Sequence, residues 1–293
     1  MKTFKTLFIS AFMVLSMGSY AQVSAVQLLS GLENGTYNEL ANNIKSSTTV
    51  PVNVLTSKGA VENLDKILAD NTIDLAFMQY DVLTNFAKSD QQLRQKLMIF
   101  LPLFLDEEIH VIVRKDSKMK LITDLQRKKV GVGSAEQGTA ATAKIVKEQA
   151  KLEWVDVAIN SNDAMTELLK GNIDAFFYVG GAPISMLQNL PDETKKQIRL
   201  LDLQTKTTTI DCPLKTIKSG TYDWHNGEVK TYAVTMLLVM NAKPSKITEM
   251  YLAQIRKDIM KEVQKLQTEG HPKWKNVYYR NEDIKWPYYY FGE

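Results

Sequence analysis

Two short stretches, Glu33-Asn34-Gly35-Thr36-Tyr37 and Glu136-Gln137-Gly138-Thr139-Ala140, each set a Gly-Thr step just ahead of a run with helical spacing. Glycine lets another group approach the backbone closely. The first turn of a helix leaves N–H groups unbonded at its positive end, so such a step can hold an anion without any cationic side chain. Thr36, Ser134 and Thr139 would add hydroxyl donors to the same ligand. Taken singly, each step reads at least as well as a turn with Thr36 or Thr139 as N-cap; their recurrence in one chain favours a ligand site. Gln79 and the segment Tyr178–Pro183 each follow a strand-like run, and in open α/β sheets ligands bind beyond the carboxyl ends of the strands. There Gly180 and Gly181 offer N–H groups and Tyr178 a ring or a hydroxyl, the alternative being a strand closed by a Gly-Pro turn.

Residue patterns for catalysis are sparse. His110, His225 and His271 lie far apart, and Glu107-Glu108-Ile109-His110 lacks the spacing that sets two metal ligands on one helical face. The stretch from Gly131 to Gly138 has neither the Lys-Ser/Thr of a nucleotide phosphate loop nor the glycine spacing of a dinucleotide fingerprint, and Ser134 is not in a G-x-S-x-G elbow. The lone Cys212 has no nearby His and reads as an inert thiol. These patterns predict no catalytic residues, no metal and no cofactor. With 44% hydrophobic and 24% charged residues the composition is that of a globular protein. The net charge of +3 is spread among acids, which argues against nucleic acid as a partner.

The elements that would position these residues alternate. Strand-like VSAVQLLS leads to ENGTY and a helix; a short strand at Pro51, an amphipathic helix over ENLDKILADNT and the strand IDLAFMQ follow. VGVGSAEQGTAATAKIVKEQ and DAMTELLKGNIDAFFYVGGAP repeat that order. Ile73-Asp74 and Ile173-Asp174 stand 100 residues apart, and the two Gly-Thr steps 103 apart. Two α/β lobes of similar construction are therefore expected, joined by two extended segments, IHVIV and VKTYAVTMLLV, which together would permit hinge motion. Ile247 to Leu266 reads as a long helix with Ile247, Met250, Leu252, Ile255, Ile259, Val263 and Leu266 on one apolar stripe. The aromatic C-terminal tail is expected to pack across a lobe. Basic residues, a short apolar run and Ser19-Tyr20-Ala21 at the start read as a cleavable export leader. The expected division is a leader over residues 1–21, one lobe from residues 22–113 with 230–293, and a second from 114–229.

GLENGTY, IDLAFMQYDVL, IHVIVRKDS with LITDLQRKKVGVGSAEQGTAATAKIV, GNIDAFFYVGGAP, VKTYAVTMLLV and EGHPKWK together resemble the solute receptors of TAXI-type tripartite ATP-independent periplasmic (TRAP) transporters. The resemblance spans nearly the whole chain after the leader. It implies a type II periplasmic-binding-protein-like fold of two α/β lobes, with a hinge and a cleft between them. It also implies a monomer exported to the periplasm, a small organic ligand such as glutamate, glutamine or a related carboxylate, and a TRAP membrane permease as partner. Carried over by position, it implies ligand contacts at Gly31, Asn34, Gly35, Thr36, Tyr37 and Gln79 from one lobe. From the other it implies Ser134, Gln137, Gly138, Thr139, Ala140, Tyr178, Gly181 and Pro183. Leu32-Glu33 replaces the family's small residues, and Glu33 and Glu136 at the pocket mouth would disfavour a second carboxylate or attract an amine. The ligand carboxylate is expected on the helix that begins near Gly138. Sensing without transport, or an enzyme on the same fold, are the competing classes.

Overall fold

The computed structural model describes residues 25–101, 104–205, 210–279 and 282–292, and the expected leader lies outside them. In the first half, β1 (Val26–Leu29), α1 (Thr36–Ser47), β2 (Val52–Leu55), α2 (Ala60–Ala69) and β3 (Leu75–Gln79) alternate, followed by α3 (Tyr80–Ala87), α4 (Leu93–Lys96) and β4 (Leu97–Ile99). The long strand β5 (Leu105–Arg114) leads into the second half. There β6 (Lys129–Gly131), α5 (Gly138–Ala150), β7 (Val155–Val157), α6 (Ser161–Lys170) and β8 (Ala175–Gly180) repeat the pattern. Short pieces follow: α7 (Ser185–Gln188), α8 (Asp192–Lys195), β9 (Ile198–Leu200) and β10 (Leu214–Ile217). Strand β11 (Val229–Asn241) returns the chain to the first half, which α9 (Lys246–Glu269) and a 3-10 turn at Pro272–Asn276 complete.

The strand order β2-β1-β3-β11-β5-β8-β6-β7 reads the same from both ends. On each side an inner strand pairs in parallel with two neighbours, β1 with β2 and β3, and β6 with β7 and β8. On each side a crossing strand then closes the set antiparallel, β11 on β3 and β5 on β8. The two crossing strands pair with each other through Ala233–Glu108, Val234–Glu107, Thr235–Asp106 and Met236–Leu105.

The sequence repeat has a chemical counterpart. The carboxylate of Asp74 accepts from the N–H of Gln27 at 2.8 Å, and that of Asp174 accepts from the N–H of Lys129 at 2.9 Å. Each Asp N–H returns a bond, to the Gln27 and Lys129 carbonyls respectively. The same two-way clasp thus fixes the start of the central strand in both halves.

Alternation along β5 sorts its apolar side chains by face. Ile109, Val111 and Val113 join a core with Phe177, Val179 and Trp154, while Ile112 joins Phe176 and Leu168 on the other side. The first half has its own core, which takes in Leu28, Leu40, Leu64 and Phe77 as well as Trp286 and Phe291 from the C-terminal tail. That tail does pack across the half, with the Trp286 indole N–H donating to the Leu97 carbonyl at 3.0 Å. In α9, Leu252, Ile255, Ile259, Val263 and Leu266 are buried. The expected stripe was too long at its start: Ile247 and Met250 are 64% and 69% exposed, because the first turn of α9 projects past the core it covers further along.

Candidate ligand-binding site

The two Gly-Thr steps open two helices. Gly35 and Gln137 occupy the N-cap positions, so Thr36 and Thr139 lie inside α1 and α5 and are not their caps. No side chain caps either helix; in α5 the Ala140 N–H bonds back to the Gln137 carbonyl at 3.1 Å, and the N–H groups of Gly138 and Thr139 lie ahead of it at the helix start. Both steps line one cavity of about 80 Å³ between the halves. Gly31, Gly35, Thr36, Tyr37 and Gln79 line it from the first half, and Gln137, Gly138, Thr139 and Tyr178 from the second. Its wall also takes in Lys58, Gly59, Ala60, Glu107, Ser161 and Phe177.

Five of the expected contacts lie off this wall. Asn34 is exposed and left-handed at φ 60°. Ser134 gives its N–H to the Gln137 side chain at 2.8 Å, and Ala140 is the third residue of α5. Gly181 packs on Lys273, where a Cβ would meet the aliphatic chain at 3.1 Å, and Pro183 follows a cis peptide bond. The segment beyond β8 thus meets the C-terminal part of the chain, while its neighbours Tyr178 to Gly180 face the cavity.

The halves are drawn together around the cavity. A Cβ on Gly138 would lie 1.8 Å from Gln79 Oε1, so only glycine allows the Gln79 side chain to rest on the start of α5. The Glu136 carbonyl accepts from the first-turn Glu62 N–H of α2 at 3.1 Å, the Thr142 hydroxyl donates to Asp81 at 2.6 Å, and Ser185 donates to Glu39 at 2.8 Å. At the mouth Lys58 and Glu136 form an ion pair at 2.9 Å; this hydrogen bond from Lys58 holds the Glu136 carboxyl down at about 2. Glu136 is therefore engaged across the mouth and is not a free carboxylate awaiting an amine. The pair is 57% and 42% exposed and contributes little to stability.

The carboxylate that reaches the cavity wall is Glu107, which the sequence analysis weighed only as a metal ligand and set aside. It is 4% exposed and accepts from the Tyr37 hydroxyl at 2.9 Å. Burial pushes its carboxyl up to about 8, against hydrogen bonds from Tyr37 and Gln79 that favour the ionised form. Its neighbour Glu108 points the other way, into a buried ion pair with Lys273 at 2.7 and 2.8 Å, and also accepts from the Ala182 N–H. His110 is buried with its two ring nitrogens on the Glu108 carbonyl and the Tyr222 hydroxyl, and desolvation lowers it to about 4. It serves as a neutral core histidine. Cys212 is half-buried, and burial pushes its thiol up to about 12, which makes it a poor nucleophile. Among the described residues no group of three His, Cys, Asp or Glu side chains is placed to hold a metal, and no helix is long and apolar enough to cross a membrane.

Two α/β halves, linked by a pair of crossing strands and closed over a cavity at the ends of their helices, define a two-lobed fold of the periplasmic-binding-protein-like kind. Residues 35–283 match the NMT1-like family, and the chain belongs to that family. Solved structures share the fold. The effector-binding domain of QuiR in complex with shikimate is 10% identical over 82% of this chain and 99% of that one, with a TM-score of 0.52. An amino acid ABC transporter substrate-binding protein from Streptococcus pneumoniae, bound to L-arginine, is 14% identical over 87% and 95%, with a TM-score of 0.50. Protein AF1704 from Archaeoglobus fulgidus is 12% identical over 83% and 78%, also at 0.50.

Proposed function

We propose that this chain is an extracytoplasmic solute receptor which captures a small carboxylate or amino acid between its halves and presents it to a TRAP-type membrane permease. The observation that carries this reading is the convergence of α1 and α5, neither capped by a side chain, on one cavity from opposite halves. Helix N-termini favour an anionic group, and Thr36 and Thr139 supply hydroxyls beside it. The hinge falls where β5 and β11 pair, around Glu107 and Val234, and the contacts from Glu136 to Glu62 and from Thr142 to Asp81 form on closure. A ligand that touches both halves binds the closed state better than the open one, and this difference drives the shift. The expected export leader and the resemblance to TAXI receptors support the periplasm as the site and a permease as the partner. Neither helix start carries a nucleophile and base pair, which supports binding over catalysis.

The test is small-angle X-ray scattering with parallel thermal melts across a panel of amino acids, monocarboxylates and dicarboxylates. At least one compound is expected to reduce the radius of gyration and raise the melting temperature, the latter as ligand linkage requires. If no compound in the panel changes either quantity, the receptor reading is wrong.

A further inference from the structure

An anion drawn to the helix starts meets an acid there. Glu107 lines the cavity from the crossing strand β5, and its Oε2 accepts from the hydroxyl of Tyr37, the second residue of α1, so its carboxyl stands beside that helix start. It is 4% exposed. Among the described residues the cavity wall holds one cation, Lys58, which sits at the mouth in its pair with Glu136. Lys273, whose charge also reaches Glu107, is bonded to both oxygens of Glu108. A ligand carboxylate in this cavity would therefore lie beside an ionised Glu107 with no free cation between them. Two like charges in one buried site do not both stay ionised, and Glu107, which burial already disfavours as an anion, is the one that carries the proton.

We propose that Glu107 selects the ligand as a neutral acid whose O–H donates to the ligand carboxylate, so that the receptor takes up a small monocarboxylate together with one proton. This rests on the receptor reading and names the ligand class within it. Tyr37 and Gln79 both donate to the Glu107 carboxyl, and the Gln79 oxygen is turned onto Gly138, so neither takes the acid proton, which is left for the ligand. The acid O–H then joins the helix N–H groups as one more donor to the same anion. A dicarboxylate brings a second charge, for which the described wall has neither a free cation nor a second acid. The closed cavity of about 80 Å³ is small, which favours short chains.

The proton comes from solvent. R–COO⁻, the Glu107 carboxylate and H⁺ give an acid–carboxylate pair held by one O–H···O bond, and the acid O–H is the only covalent bond formed. The groups that face Glu107 are Tyr37 from α1, Gln79 from the end of β3, Asp81 from α3, Tyr178 from β8 and Lys273 from the C-terminal turn. Asp106 and Glu108 flank it on β5, paired with Lys215 and Lys273. Burial raises both tyrosines, Tyr178 to about 12, and they stay neutral; Asp81 titrates at about 6 and is ionised above pH 7. Burial holds the Glu107 carboxyl at about 8 in the closed cavity. A site that needs the acid form weakens as pH rises past that value. Affinity falls about tenfold between pH 7 and pH 9, and the proton uptake per ligand rises from about 0.1 to about 0.9. Where the cleft is open and Glu107 wetted before binding, the fall begins at lower pH and is larger.

Isothermal titration calorimetry at pH 6, 7, 8 and 9, each in two buffers of different ionisation enthalpy, reads affinity and proton uptake together. The probes are acetate, propionate and L-lactate, none of which titrates in this range, with the whole chain after removal of its leader. At least one is expected to bind roughly tenfold or more weakly at pH 9 than at pH 7 and to take up close to one proton at pH 9. Glu107→Gln donates through an amide that does not titrate, so its binding is expected to show neither the fall nor the uptake. Constant affinity from pH 7 to pH 9, an equal fall in the variant, or closure on an amino acid or dicarboxylate but on no monocarboxylate overturns the acid seat, while scattering still reports closure and the receptor reading stands. If no compound closes the protein, both fall. The uptake is read on the unmodified protein, so it decides the matter even if the variant does not fold.

Discussion

Glu107 offers a test of the electrostatics without any ligand. Its carboxyl ordinarily titrates at 4.5 and burial raises it to about 8 in the folded protein. Between these values the folded protein holds a proton that the unfolded chain has lost, so stability falls by about 1.4 kcal/mol for each pH unit gained. The contribution of the protonated form is full below pH 4.5 and gone above about pH 8. Integrated to pH 7, the loss is roughly 3 kcal/mol. Glu107→Gln keeps the shape and an acceptor for Tyr37 but cannot ionise. Urea unfolding of the ligand-free parent and variant at pH 5, 6, 7 and 8 should show the variant gaining on the parent by about 1.4 kcal/mol per unit across that window. Titrating groups that do not act on Glu107, His110 among them, are common to both proteins and leave the difference. Parallel stability curves, or a gap that narrows with rising pH, would refute the placement of a protonated acid at the cavity wall.

Three further outcomes follow from contacts described above. Gly138→Ala sets a Cβ 1.8 Å from Gln79 Oε1 and should hold the halves apart, seen as a larger radius of gyration, with a Gln79→Ala second change restoring the parent value. Lys273→Met leaves Glu108 buried without its cation and should destabilise by about 3–5 kcal/mol in denaturant unfolding, with part recovered by adding Glu108→Gln. Cys212, with its thiol pushed up to about 12, should resist iodoacetamide at pH 8 in the native protein and react fully once unfolded, as followed by mass spectrometry.

Much of the architecture was legible because the repeat lies in residues with backbone duties. Asp74 and Asp174 recur because each clasps the start of the neighbouring strand, and the Gly-Thr steps recur because each opens a helix onto the cavity. Glu107 was hidden by pairing. Of three consecutive acids, only the one whose β5 position faces the cavity reaches it, and sequence spacing does not reveal which face that is. Acids running directly into the mostly apolar strand residues 109–113 were the available signal. Gly181 was drawn to the site by proximity to Tyr178, yet a turn beyond the strand carries it to Lys273, 92 positions later in the chain. Ile247 and Met250 fit the helical period but outrun the core beneath it.

The cap that Glu136 places on α2 also turns two adjacent amides into a gauge. The Glu62 N–H is bonded to the opposite half, at 3.1 Å, while the Asn63 N–H is bonded within its own helix to Gly59 at 2.9 Å. Opening the cleft exposes the first and leaves the second intact, so hydrogen exchange at Glu62 reports the population of open molecules and exchange at Asn63 the melting of the helix. The ratio of the two rates reads the equilibrium between open and closed forms in a protein that carries no probe.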